Sequence, residues 1–139
     1  VPNAIGYVES AYAKQNKLPY VSVQNKAGKF VAADAANFAA AAAGARWASA
    51  PGNYLLLLDQ PGAQAWPITG ATFILLQRNQ ANAANGAAVL KFFDWAYKNG
   101  DAEAAKLDFV PLPAAVKAAI RRQWATNVTS GGKPVYVSR

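Results

Sequence analysis

The sequence of 139 residues is 53% hydrophobic, which suffices for a packed core and excludes a disordered chain. Because it contains neither Cys nor His, it has no disulfide framework, no usual zinc or copper ligands and no His-based catalytic triad, and we expect no metal, no cofactor and no enzymatic activity. The formal net charge is +7, but the basic residues are scattered and no basic arm or RNA-binding aromatic motif accompanies them, so we predict a solvated basic surface and no nucleic-acid partner.

The first third of the sequence predicts a strand, a helix and a hairpin, in that order. Residues 4–8 form a β-type run, and residues 9–15 have the composition of a brief helix. Residues 20–24 alternate apolar and polar side chains and precede turn residues, so they predict a hairpin with Phe30 and Val31. A strand that starts almost at residue 1 also leads us to expect an excerpt from a longer chain.

The middle of the sequence predicts one helix and two buried strands. Asp34 is a suitable N-cap for an Ala-rich helix that ends near Ala43, with Gly44 as its stop. Residues 54–58 are a continuous apolar run typical of a strand covered on both faces, and residues 73–76 predict a second buried strand. Strands separated by helices indicate the α/β fold class. Every apolar stretch is interrupted before it reaches the roughly 18 residues of a membrane span, so we also expect a soluble protein.

The clearest predicted helix spans residues 84–98. Its expected core face comprises Val89, Phe92, Phe93 and Ala96. On another face, Asp94 and Lys98 are spaced for an i,i+4 ion pair. Gly100 is expected to end this helix, and Asp101 is expected to cap the short helix that follows.

The last helix is predicted over residues 114–124 and carries two like charges. Lys117 and Arg121 stand four residues apart, which destabilises an isolated helix, so we expect an acidic group from elsewhere near them. A segment outside this chain is one place for that group. The tryptophans at 66, 95 and 124 accompany other apolar residues at helical or strand spacing, and we expect them to be core anchors.

Several sequence blocks match one known family, in order and over nearly the whole chain. They are AIGYVE at 4–9 with AYAKQN at 11–16, AWPIT at 65–69 with TFIL at 72–75, VLKFFDWAYK at 89–98 with LDFVPLP at 107–113, and GKP at 132–134. Together these blocks resemble the C-terminal part of the periplasmic phosphate-binding proteins, the solute receptors of high-affinity phosphate ABC transporters.

The resemblance implies a two-lobed α/β fold of the type II periplasmic binding proteins, in which lobes that close about a hinge enclose phosphate. Residues 1–70 would be a remnant of the second lobe, and residues 71–139 the C-terminal part of the first. The implied partners are inorganic phosphate, the N-terminal remainder of the protein and a membrane permease. The implied location is the bacterial periplasm, with the signal peptide outside this segment.

The resemblance also implies that the phosphate ligands lie upstream of this chain. The family binds phosphate with backbone N–H groups, Ser and Thr hydroxyls, an Arg held by acidic neighbours and an Asp. This sequence has no Gly-Ser-Gly-Thr-like loop opening a helix, the arrangement that presents N–H groups to an anion. We therefore assign no residue of this chain as a phosphate ligand.

Thr69, Gly70 and Thr72 allow two interpretations. Two hydroxyls near a glycine backbone are able to donate hydrogen bonds to an anion. A crossing between lobes would instead use Gly70 for close packing or for a bend. Because the resemblance places this segment at a crossing, we take the three residues as hinge candidates.

Two rival functions stay open at the level of sequence. A receptor of the same fold for another tetrahedral anion, such as sulfate, differs from a phosphate receptor only in the upstream ligand residues. A basic module that binds polyanions is the alternative from another class. Binding that weakens steeply as salt rises would identify the second alternative.

Overall fold

The computed structural model describes residues 3–137, and their regular elements are mostly helical. The helices are α1 (Ser10–Gln15), α2 (Ala35–Gly44), α3 (Ala83–Asn99), α4 (Asp101–Lys106) and α5 (Ala114–Asn127), with short 3-10 turns at Trp47–Ser49 and Pro51–Asn53. The strands form two antiparallel pairs, β1 (Val23–Gln24) with β2 (Phe30–Val31) and β3 (Thr129–Ser130) with β4 (Lys133–Pro134). None of the helices within residues 3–137 has both the length and the hydropathy that crossing a bilayer requires.

The helix predictions are confirmed, and two helices begin at capping side chains. The carboxylate of Asp34 accepts from the backbone N–H of Asn37 at 2.9 Å, and the side-chain oxygen of Asn82 accepts from that of Asn85 at 3.0 Å. Helix α2 ends at Gly44 as expected. A Cβ at Gly44 would lie 2.9 Å from the carbonyl oxygen of Pro61, so the close approach of that loop requires a glycine here.

The predicted hairpin is confirmed, and a buried asparagine fastens its turn to a distant loop. Val23 pairs with Val31 and Gln24 with Phe30. The side-chain oxygen of Asn25 accepts from the backbone N–H groups of Ala27 and Lys29, at 3.1 and 3.0 Å. Its amide nitrogen lies 3.0–3.2 Å from three carbonyl oxygens, those of Gly62, Ala63 and Ala65. The 25–29 turn and the 62–65 loop are therefore held together by one side chain.

Two clusters of contacting buried side chains lie among residues 3–137. The first contains Ala42, Trp47, Leu57 and Val116, with Leu55, Ala71, Leu112 and Ile120 packed around it. The second contains Leu90, Val128 and Tyr136, with Leu76, Trp124 and Val135 around it. In the second cluster, Trp124 is stacked on Tyr97 and meets Tyr136 edge-on, with ring centroids 5.5 and 5.7 Å apart. Such aromatic pairs stabilise a core beyond the area that they bury.

The three predicted strands at 4–8, 54–58 and 73–76 are wrong for this chain, because none of these segments is a strand in the structure. A strand needs a neighbour for its backbone hydrogen bonds, and the described residues provide only an isolated bridge at Leu58. Residues 54–58 are half-buried as an alternating segment, with Leu57 in the core and Leu56 exposed. Leu75 is 94% exposed, so the run at 73–76 lacks the cover that was expected of it, and Ile5 in the first run is 97% exposed.

The predicted core face of α3 and the predicted role of Trp95 also need correction. The buried residues of α3 are Gly86 and Leu90, whereas Val89 and Phe92 are exposed. Trp66 is a buried core residue as predicted, and Trp124 packs in the second cluster, but Trp95 is 58% exposed. The apolar side chains of α3 extend around more of the helix than the other described residues cover.

Candidate functional site

The hinge candidates lie in a segment without regular secondary structure, directly after an antiparallel bridge between Leu58 and Ile68. The backbone N–H of Asp59 donates to the carbonyl of Pro67 at 2.9 Å, which ties this segment to the preceding apolar run. Thr69 is buried, and its hydroxyl donates to the carbonyl of Trp66 at 3.0 Å. Because the hydroxyl proton is already used in this bond, Thr69 is a poor donor for an anion.

Gly70 and Thr72 are exposed, and Ala71 between them packs against the first core cluster. A Cβ built on Gly70 would meet no heavy atom of the structure within 4 Å. The described residues therefore show no close packing at Gly70, and whether it serves close packing or a bend stays a prediction. Its role as a point of backbone rotation stays a prediction.

Six basic side chains of the described residues form ion pairs, which are scattered over that part of the chain except for two that share Asp94. The pairs are Lys14 with Asp108 (3.1 Å), Lys26 with Asp59 (3.8 Å), Lys98 with Asp94 (2.8 Å), Lys106 with Glu103 (2.7 Å), Lys117 with Asp101, and Arg121 with Asp94 (2.5 Å). The predicted pair of Asp94 with Lys98 is confirmed. An anion site would instead need several cationic or N–H donors aimed at one point.

The acidic partners expected for Lys117 and Arg121 lie within this chain. Lys117 is buried, forms an ion pair with Asp101 and donates to the carbonyl of Tyr97 at 3.2 Å. Asp101 is the first residue of α4 and makes no side-chain cap bond, so its predicted capping role is wrong. Its carboxylate turns to Lys117 instead, because a buried ammonium group needs a counter-charge.

Asp94 is the centre of a polar cluster at the edge of the second core, which also contains Lys98, Arg121 and Tyr136. The side chain of Asp94 is 16% exposed and that of Arg121 is 22% exposed, so both are shielded from solvent. Burial alone would raise the pKa of Asp94. The ammonium of Lys98, the hydroxyl of Tyr136 and the guanidinium of Arg121 outweigh that effect and hold the pKa of Asp94 below its ordinary value.

This lowered pKa predicts a specific loss of stability in acid. Because the pKa of Asp94 is lower in the folded than in the unfolded protein, the carboxylate stabilises the fold above the unfolded value of about 4 and less so as the pH falls through the folded-state pKa. We expect Asp94→Asn to lower the free energy of unfolding at pH 7 by about 1–3 kcal/mol. The difference from wild type should shrink below pH 4 in urea titrations.

Glu103→Gln is the matched control for this prediction. Glu103 also pairs with a lysine on the same helix, but both side chains of that pair are highly exposed. Exposed pairs contribute little, so we expect the same pH dependence as the wild type. If Asp94→Asn and Glu103→Gln gave the same profile, the Asp94 cluster would not stabilise the fold.

Two surface depressions among residues 3–137 lack the donors that an enclosed phosphate needs. The first, of about 320 Å³, is lined by Arg46, Ser49 and Gln60 beside apolar groups. The hydroxyl of Ser49 donates to the carbonyl of Arg46, and the amide of Gln60 donates to backbone carbonyls, which leaves Arg46 as its charged donor. The second, of about 400 Å³, is lined by Lys91 and Asp94 beside apolar groups, which leaves Lys91 as its charged donor.

Comparison with known proteins gives matches that cover nine-tenths or more of this chain. No protein-family profile matches the sequence. The chain is similar to the phosphate-binding protein PstS of Pasteurella multocida, with 49% identity over 96% of the chain, and to that of Haemophilus influenzae, with 46% over 90%. The phosphate-binding protein PstS of Xylella fastidiosa is 43% identical over 91% of the chain.

The chain spans 35–39% of the length of these relatives. Nine-tenths or more of the chain is matched in each case. The chain therefore belongs to the family of phosphate-binding proteins.

Proposed function

We propose that this chain is the C-terminal part of a periplasmic phosphate-binding protein, which binds inorganic phosphate and delivers it to the permease of an ABC transporter. The observation that carries the proposal is the identity of 43–49% to proteins named as phosphate-binding. In this proposal the protein is a receptor and not an enzyme, and it acts in the bacterial periplasm.

The proposed architecture has two lobes that meet at a crossing near Thr69, Gly70 and Thr72. Residues 1–70 belong to the second lobe and residues 71–139 to the first. The first core cluster joins Leu57 of one part to Val116 of the other, so the two parts are in contact in this conformation. Lobes that move about a hinge would loosen such a contact when they open.

The phosphate ligands are proposed to lie in the N-terminal remainder of the protein. An enclosed anion exchanges its hydration shell for several convergent donors. The described residues offer lysines in exposed pairs, a Thr69 hydroxyl that is already bonded to a carbonyl, and shallow depressions. These observations support the proposal that the hydrogen-bond donors for phosphate come from the N-terminal remainder of the protein.

Calorimetric titration tests where phosphate binds. We expect the 139-residue chain alone to bind phosphate with millimolar or poorer affinity, on the order of what scattered surface lysines provide, and to lose that binding in salt. The full-length protein should bind tightly, with one phosphate per molecule and little dependence on salt. Sulfate, titrated in parallel, should bind the full-length protein far more weakly.

The results of these titrations test the proposed function and the proposed position of the phosphate site separately. Tight and salt-insensitive binding by the chain alone would show that the site is in this part of the protein. A full-length protein that prefers sulfate, or binds only polyanions at low salt, would contradict the proposed function.

Replacing Gly70 with valine tests the hinge. A β-branched residue restricts backbone rotation, and a Cβ added at Gly70 meets no heavy atom of the described residues within 4 Å. We expect the full-length variant to bind phosphate about fivefold more weakly, which corresponds to roughly 1 kcal/mol, with an unchanged midpoint of unfolding. Small-angle scattering with and without phosphate should show reduced closure.

Gly6→Val is the control for the hinge, because a Cβ at Gly6 also meets nothing within 4 Å. This variant should close and bind as the wild type does. Normal closure of Gly70→Val would remove Gly70 from the hinge.

A further inference from the structure

Two polar contacts join parts of the chain that the proposed function assigns to different lobes. The ammonium of Lys14 lies 3.1 Å from the carboxylate of Asp108, 94 residues further along the chain. The side-chain amide of Asn53 donates to the side-chain oxygen of Gln123, 70 residues further along. In each pair, one residue comes before the hinge candidates in the chain and the other comes after them. Both contacts therefore span the proposed boundary between the lobes.

The ion pair of Lys14 with Asp108 differs in this respect from the other five among residues 3–137. Lys26 pairs with Asp59 before the hinge candidates, and the remaining four pairs lie entirely after them. The side chains of Lys14 and Asp108 are 38% and 26% exposed, so water and salt screen this pair less than a fully exposed one. A pair within one lobe persists when the lobes move, whereas a pair between lobes depends on how they are arranged.

Both contacts use a residue with a left-handed backbone. Asp108 has a φ of 61° and Asn53 a φ of 59°, a region that Asp and Asn accept more readily than most other side chains. Asp108 ends α4 in a turn where its own N–H donates to Ala105 at 3.1 Å and the N–H of Phe109 donates to Ala104 at 2.9 Å. Glycine is the usual residue at this position of such a turn. The turn itself needs no carboxylate, and the carboxylate of Asp108 is used in the contact with Lys14.

The second contact continues an apolar contact between the same two parts. Val116, Ile120 and Gln123 lie on one face of α5, because they are spaced by four and three residues. Val116 and Ile120 pack with Leu57 in the first core cluster, and Gln123 extends that face to Asn53. Apolar packing has little directional preference, whereas a hydrogen bond requires a defined distance and angle. The amide pair therefore favours one arrangement of the two parts.

We propose that the Lys14–Asp108 ion pair and the Asn53–Gln123 hydrogen bond form an interlobe latch, which stabilises the closed receptor and so strengthens phosphate binding. This inference rests on the proposed function, since it requires two lobes that enclose phosphate. The apparent affinity for a ligand is proportional to the fraction of receptor in the form that binds it. An enclosed ligand leaves only after the lobes open, so the latch also slows the release of phosphate.

Calorimetric titration of the full-length protein with phosphate tests the ion pair. Asp108→Asn removes the charge but keeps the size of the side chain and its tolerance of a left-handed backbone. We expect binding to weaken about threefold, the order of magnitude that a partly exposed ion pair contributes. Lys14→Gln should have the same effect, and the double variant no larger one, because the pair is lost only once. Glu103→Gln, which breaks an ion pair within one lobe, should bind as the wild type does.

Gln123→Ala tests the hydrogen bond in the same titration. Alanine favours a helix, so we expect α5 to persist, with phosphate binding weakened about threefold. Arg122→Ala is the control, since Arg122 is the exposed neighbour on the same helix, and its affinity should match that of the wild type.

Urea denaturation with and without phosphate distinguishes a latch from a static contact. A contact made in the closed receptor stabilises the phosphate-bound protein, so Asp108→Asn should lower the unfolding midpoint in saturating phosphate and leave the phosphate-free midpoint unchanged. Equal lowering of both midpoints with unchanged phosphate affinity would overturn the latch. Additive effects of Lys14→Gln and Asp108→Asn on affinity would also contradict it. A wild-type protein that does not bind phosphate would instead reject the proposed function, and the latch with it.

Discussion

Replacing Leu90 with alanine in the full-length protein should lower the free energy of unfolding by about 3–5 kcal/mol, the range typical of leucines removed from a rigid core. Leu90 is the largest side chain that is fully buried in this chain, and Val128 and Tyr136 pack on it. Its neighbours come from separate segments, including α5 and the residues after β4, so they cannot shift together into the cavity. Urea denaturation followed by circular dichroism measures the loss.

Leu90→Met is the control, because it preserves the volume and polarity of the side chain. We expect it to cost less than about 1.5 kcal/mol. A loss below about 1 kcal/mol for Leu90→Ala would mean that the second core cluster is loosely packed or collapses around the gap.

Asn25→Ala should lower the free energy of unfolding by about 2–4 kcal/mol, which sums the loss of several buried or part-buried hydrogen bonds and the cost of the polar groups left without a partner. Asn25 is 5% exposed and connects the hairpin turn to the 62–65 loop. The substitution leaves two N–H donors and three carbonyl acceptors without that partner. Water reaches such a buried position poorly, so the penalty remains. Thermal and urea denaturation of the full-length variant measure it.

Asn25→Asp separates the two halves of this network. Aspartate keeps the acceptor for Ala27 and Lys29 but brings a second oxygen toward the carbonyls of the 62–65 loop. We expect it to be at least as destabilising as alanine, since it adds a repulsion and a buried charge. Lys26→Ala, at an exposed neighbouring position, should have an effect within about 0.5 kcal/mol. Equal effects of Asn25→Ala and Lys26→Ala would show that the network adds nothing.

The sequence predicts the parts of the fold that depend on neighbours close in the chain. The structure contains the cap at Asp34, the helix ends at Gly44 and Gly100, and the pair of Asp94 with Lys98. Each of these features depends on residues within about one turn of helix. The hairpin at residues 23–31 is also local. Such features form wherever the segment is placed, so their signals survive in an isolated sequence.

Apart from the cap at Asp101, whose carboxylate pairs with Lys117 instead, the failed predictions concern features that need a distant partner. The runs at 54–58 and 73–76 have strand composition, but a strand is completed by hydrogen bonds to another strand, which the described residues do not provide. The sequence did not identify the acidic residues beside Lys117 and Arg121, because Asp101 and Asp94 come close to them only when the chain folds. Like-charge spacing predicted that partners exist but not which residues they are.

The candidate site was predictable only through resemblance. The expectation that the phosphate ligands lie outside these residues came from the resemblance, and it stays a prediction. The hinge at Thr69, Gly70 and Thr72 stays a prediction. A hinge is defined by the backbone rotation between two conformations, so neither the residue pattern nor a single conformation shows it.

The place of Tyr136 in the second core has a consequence for how the protein is made. Leu90 lies on α3, but part of its cover, Tyr136, is synthesised only after α4, α5 and both strands that follow. On a translating ribosome, α3 is therefore available before the side chains that bury it. This region cannot reach its final packing while Tyr136 is still untranslated, and during that interval the apolar surface of α3 is open to chaperones.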